Sequence, residues 1–132
     1  MTGSTSRRAL QVFLTVLGSV AVIAGTTTVV LGVDSVVGAE GVSGTVDSEM
    51  RFYAVWYMGA GFLLLRAVAR VESEKRTIAG IAILFFIAGC ARGLSWLMIG
   101  EPHTVAQVLM VIELALPLVI VPWQAAIARG RS

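Results

Sequence analysis

Arg92 and Glu113 are opposite charges set inside two consecutive apolar stretches, Ile78–Ile99 and Val105–Ala128. A lone arginine at the centre of a lipid-embedded helix costs roughly 2.5–3.5 kcal/mol on insertion scales, and pairing with an acid offsets part of that cost. Only Gly100-Glu101-Pro102-His103-Thr104 separates the two stretches, so the spacing predicts a tight helical hairpin. Arg92 lies eight residues before Gly100 and Glu113 ten after His103. At about 1.5 Å per residue their depths agree within about 3 Å, a gap that an arginine side chain covers. Such a pair supports three kinds of chemistry. It locks the hairpin in register, it forms the floor of an outward-facing pocket for an anionic or zwitterionic group, or it relays protons through Glu113.

Other polar side chains fall near the same end. Glu49, Arg51 and Tyr53 open the second apolar stretch, at the level of Glu101 and His103 in the turn. On a helix Glu49 and Tyr53 share a face while Arg51 points partly elsewhere. The expected inward set is therefore Arg51 or Glu49 with Arg92 and Glu113. Arg66 and Arg70 share a face near the opposite end, where their stems snorkel and their guanidiniums meet lipid phosphates. His103 and Glu101 offer two metal ligands, but no third follows at ligand spacing, so neither a metal site nor a cofactor is expected. No glycine-rich phosphate loop, nucleophile elbow or paired-carboxylate motif occurs, and the chain is not expected to be an enzyme. Cys90 is the lone cysteine; it excludes an intramolecular disulfide and reads as a small buried side chain.

The elements that must position these residues follow from composition. Of 132 residues, 57% are hydrophobic and 14% charged, with a mean hydropathy of +0.87, the balance of an integral membrane protein rather than a soluble domain. Four stretches are long enough to span a bilayer as helices: about 9–33, 52–71, 78–99 and 105–128. The expected fold is all-α, a four-transmembrane-helix bundle formed by the whole chain as one domain. Of ten Lys and Arg, eight fall on one side if both termini share it (Arg7, Arg8, Arg66, Arg70, Lys75, Arg76, Arg129, Arg131), Arg51 falls opposite and Arg92 lies inside. The positive-inside rule then places both termini in the cytoplasm. The net charge of +2 comes from these flanking arginines and gives no reason to expect nucleic acid as a partner. The first apolar run has 25 residues, too long for a signal-peptide core of about 7–15, so it reads as an uncleaved anchor.

Gly18, Gly25 and Gly32 recur every seven residues in the first stretch and put a smooth stripe on one face, where another helix approaches closely. Gly89 and Gly93 flank Arg92 in the same way. Asp34–Ser48 has no Lys or Arg and reads as an outer loop. Asp47-Ser48-Glu49 is expected to cap the second helix, Thr77 the third, and Thr104 with Gln107 the fourth. Pro117 removes the hydrogen bond to the Glu113 carbonyl. Trp56, Tyr57, Trp96 and Trp123 read as interfacial or packing residues.

Asp47-Ser48-Glu49-Met50-Arg51-Phe52-Tyr53, Ala91-Arg92-Gly93-Leu94-Ser95, Gly100-Glu101-Pro102-His103 and Glu113-Leu114-Ala115-Leu116-Pro117 together resemble a family of small bacterial membrane proteins, domain of unknown function 4345. The resemblance covers nearly the whole chain and is strongest from Asp47 onward. It implies a four-helix membrane domain in which Glu49, Arg51, Tyr53, Arg92, Gly93, Pro102, His103, Glu113 and Pro117 match the family's pattern, and it implies no activity. The resulting expectation is a multi-pass protein of the bacterial cytoplasmic membrane, a non-enzymatic accessory or structural component. Its partners would be the bilayer and a second membrane protein or another copy. The alternative is a binder or transporter of a small polar molecule or lipid headgroup.

Overall fold

The computed structural model describes residues 3–130. Four helices follow one another: α1 (Gly3–Leu31), extended by a 3-10 turn at Gly32–Ser35, then α2 (Gly44–Val68), α3 (Lys75–Ile99) and α4 (Thr104–Arg129). No strand occurs among the described residues. Three helical segments are long and apolar enough to cross a membrane: Gly3–Ser35, Lys75–Ile99 and Thr104–Arg129. The helix α2 is of similar length, but Arg51, Arg66, Tyr53, Trp56, Tyr57 and three glycines dilute its apolar character.

The helices form two antiparallel hairpins, α1–α2 and α3–α4, with the start of α1, the end of α4 and the 69–74 connection at one end, here the terminal end. The other, the loop end, carries residues 36–43 and the 100–103 turn. Within the first hairpin the glycine stripe sets the distance. A Cβ on Gly18 would stand 2.9 Å from the Leu65 side chain and 3.1 Å from the Gly61 carbonyl; one on Gly25 would stand 2.7 Å from the Met58 Cβ. Small residues let the two backbones touch where lipid gives no hydrophobic drive for association.

The shared core occupies the terminal half. Leu10, Leu14 and Ala21 of α1 meet Leu64 and Ala67 of α2, then Val71, Ile78, Ile81, Ala82 and Phe85, and finally Leu116 and Ile120 of α4. Polar ties fasten the same end. Gln124 Nε2 donates to the Val71 carbonyl at 2.7 Å, Trp123 Nε1 donates to Ser6 Oγ at 2.9 Å, and Arg7 pairs with Glu72 at 3.0 Å. The two hydrogen bonds each satisfy a polar group where water is scarce. Around this core the large apolar side chains point outward; Leu97 and Ile99 are each 86% exposed, the inverse of a water-soluble bundle.

The helix starts differ from the expected ones. Ser43, not the Asp47-Ser48-Glu49 run, caps α2, its hydroxyl accepting from the Val46 N–H; that run lies inside the helix and its acid serves elsewhere. His103, not Thr104, caps α4, with Nδ1 accepting from the Val105 N–H at 3.2 Å. Gln107 donates to Glu101 and to the Pro102 carbonyl, both at 2.9 Å, and so braces the turn. Thr77 lies inside α3, where its hydroxyl donates to the Glu74 carboxylate at 2.8 Å. Helix α4 runs unbroken through Pro117 and Pro122. Cys90 is exposed rather than buried, because it shares the outward face of α3 with Ile83 and Ile87.

Candidate functional site

The inward face of α3 runs Ile78, Ile81, Ala82, Phe85, Gly89, and the next helical position on that face is Arg92. The inward face of α4, read from the other end, runs Gln124, Ile120, Leu116, Glu113. The two charged residues therefore close the apolar core toward the loop end. Arg92 Nε donates to Glu113 Oε2 at 2.8 Å, so the register counted from the turn is the register of the fold. Gly89 makes the approach possible, since a Cβ there would lie 3.2 Å from the Glu113 Cβ and 3.0 Å from the Leu114 side chain.

The pair is asymmetric. The Glu113 side chain is 5% exposed and the Arg92 side chain 42%. Among the described residues, only Nε of the Arg92 guanidinium is hydrogen-bonded, while the two terminal nitrogens carry no protein partner. A guanidinium has five N–H donors, and a carboxylate engaged through Nε alone leaves the fork available to an oxygen-bearing group. Tyr57 stands across from α3, packed edge-on against Phe85 with ring centroids 5.6 Å apart, within electrostatic reach of Glu113 and Arg92. Its spacing had suggested only a belt or packing residue.

Arg51 does not join this site. Its Nε donates to Asp47 Oδ2 at 2.8 Å and its Nη1 donates to the carbonyls of Val29 at 2.8 Å and Val30 at 3.0 Å. Asp47 Oδ1 accepts from the Val33 N–H at 2.7 Å. Gly32, at φ +62°, turns the chain there, and a Cβ on it would collide with Asp47 and Arg51. The last carbonyls of a helix lack intrahelical donors and carry its negative dipole end, so a cation hydrogen-bonded to them is doubly favoured. Arg51 and Asp47 thus form the cap that ends α1 and ties it to α2. The i, i+4 spacing of Asp47 and Arg51 was the available signal.

The Arg51 hydrogen bond first, and the Val33 N–H second, hold the Asp47 carboxyl below its ordinary value of 3.8. Stability from this group is therefore fully present above the unfolded-state pKa, and is lost as the pH falls through the lower folded-state value. Arg51→Ala is expected to lower stability by about 1–2 kcal/mol, for a partly exposed cation on two helix-terminal carbonyls. Thermal melts in detergent at pH 7 and in the acid range check both points: Asp47→Asn should lack the part of the acid-induced loss that wild type shows.

The remaining expected site residues stay apart. Glu49 and Tyr53 lie on the exposed side of α2, where Tyr53 stacks edge-on against Phe52 at 5.4 Å. His103 spends its Nδ1 lone pair on the α4 cap and faces Gly38 of the loop, whose added Cβ would stand 3.1 Å from the His103 Cβ. Arg66 lines a small cleft of about 90 Å³ with Leu63, Ala67, Glu74 and Thr77, and Arg70 is exposed. Among the described residues no three His, Cys, Asp or Glu side chains are grouped to hold a metal ion.

Residues 9–124 match the family described as Domain of unknown function (DUF4345). The chain belongs to that family. No curated protein and no solved structure shows significant similarity to it. The DUF4345 match takes in the stripe, the α1 cap and the Arg92–Glu113 pair, and it stops at Gln124, the last inward residue of α4.

Proposed function

We propose that this DUF4345 protein is a four-span component of the bacterial cytoplasmic membrane, non-enzymatic, in which the Arg92–Glu113 pair locks the α3–α4 hairpin. The observation that carries the reading is the 2.8 Å Arg92–Glu113 contact with its acid almost wholly buried. Removing either partner would leave an uncompensated charge in a medium that penalises it. The fourth crossing is α2: its 25 residues extend about 37 Å at 1.5 Å per residue and pack along α1 through Gly18 and Gly25. The terminal end, which carries Arg7, Arg8, Arg66, Arg70, Lys75, Arg76 and Arg129, faces the cytoplasm. There Arg66 and Arg70 meet lipid phosphates. The glycine stripe is spent on α2, so association with a second membrane protein or another copy would use the outward apolar faces.

Single cysteines in a Cys90→Ser background test the arrangement. Cysteines at Ser73 and near the C-terminus should resist a membrane-impermeant maleimide in intact cells, and one at Ser48 or Glu101 should react. Labelling of Ser73 and Glu101 variants alike would refute the four-span topology.

One observation favours a second reading, a binder of a small polar molecule or lipid headgroup. It is the half-exposed Arg92 fork whose terminal nitrogens have no protein partner among the described residues. Its site would hold Arg92, Glu113 and Tyr57, without Arg51.

A further inference from the structure

At the terminal end, α3 and α4 leave a groove of about 290 Å³ between them, lined by Lys75, Arg76, Ala79, Val121, Gln124 and Ala125. Two alanines create the space. The walls are almost wholly apolar, and the charges at the mouth, Lys75 and Arg76, are both exposed and both positive. Gln124 is buried and turns its amide nitrogen to the Val71 carbonyl. The nearest acid on α3's approach, Glu74, lines the separate cleft beside Arg66 and Thr77, and it does not cap the helix with its side chain.

An apolar slot that opens at a membrane-helix terminus beneath two cations matches one kind of molecule in both polarity and charge. We propose that this groove holds an acyl chain of an anionic phospholipid, with the headgroup phosphate between Lys75 and Arg76. A zwitterionic lipid offers the same chain without net charge, so the groove discriminates by charge at its mouth and retains by its apolar walls. The site rests on the membrane reading but not on any role for Arg92.

The test is native mass spectrometry of the full chain released from membranes of mixed phosphatidylglycerol and phosphatidylcholine, counting retained lipid. Wild type should carry one phosphatidylglycerol in clear preference to phosphatidylcholine. The double variant Lys75→Gln, Arg76→Gln should lose it by roughly fivefold per charge removed. Ala125→Leu, which fills the groove and leaves both charges, should lose it as well, while Arg8→Gln, which removes an exposed cation outside the groove lining, should retain it. Wild-type retention by Ala125→Leu, or equal retention of both lipids by wild type, would overturn the proposal. A thermal melt of each variant separates lost lipid from a lost bundle, and none of these changes touches the Arg92–Glu113 pair.

Discussion

Glu113→Ala is expected to cost about 3 kcal/mol, the largest loss from any single change to the polar centre. The substitution removes a nearly buried carboxylate and strands Arg92 about 10 Å below the end of α3, counted from Ile99 at 1.5 Å per residue. Arginine does not shed its proton at any accessible pH, so the charge persists. It is left to snorkel toward the loop end at the expense of the packing around Gly89. Glu113→Gln should cost less, because an amide oxygen still accepts from Nε, though without charge assistance. Unfolding in detergent or bicelles checks the order: wild type most stable, then Glu113→Gln, then Glu113→Ala. If Glu113→Ala melted with wild type, the pair would contribute nothing to the hairpin.

Gly25→Leu should be comparably damaging for a different reason. A Cβ at that position would lie 2.7 Å from the Met58 Cβ and 2.9 Å from the Ala54 carbonyl, so the obstruction is backbone and near-backbone rather than a flexible tip. Overpacking of this kind costs about 1–3 kcal/mol for small insertions, and a leucine here should exceed that range by forcing α1 from α2. Gly25→Ala is the milder case, since better helix propensity returns up to about 1 kcal/mol. Gly59 supplies the control: a Cβ there meets nothing within 4 Å, so Gly59→Ala should be neutral or stabilising. Melting temperatures of the three variants decide it, and equal tolerance at Gly25 and Gly59 would contradict the close approach of the two helices.

The polar centre was legible because it depends on counting. Two spans joined by a five-residue turn fix relative depth, and Arg92 and Glu113 follow from that alone. Gly18 and Gly25 were legible for the same reason, a period of seven on one helix, whereas Gly32, the third of that period, falls past the end of α1 in a turn at positive φ. Arg51 was not, because its partners are the carbonyls of Val29 and Val30, backbone groups that exist at every position and become special only where a helix ends. Once α1 stops at Leu31 and Gly32 takes a positive φ, those carbonyls need donors, and the nearest cation on α2 supplies them. The start of α2 was misplaced through the same competition. Asp47-Ser48-Glu49 has the composition of a cap, yet Ser43 begins the helix earlier and frees Asp47 to hold the end of α1. Cys90 failed for lack of phase, since a uniformly apolar helix such as α3 does not declare its inward face until its partners are in place.

A double-mutant cycle on Arg92→Ala and Glu113→Ala, read as unfolding free energy in one bilayer mimetic, tests the lock most directly. The lock predicts that each single change is destabilising and that the double change costs less than their sum, with a coupling of about 1–3 kcal/mol. Additive losses with no coupling, or two single variants as stable as wild type, would contradict it.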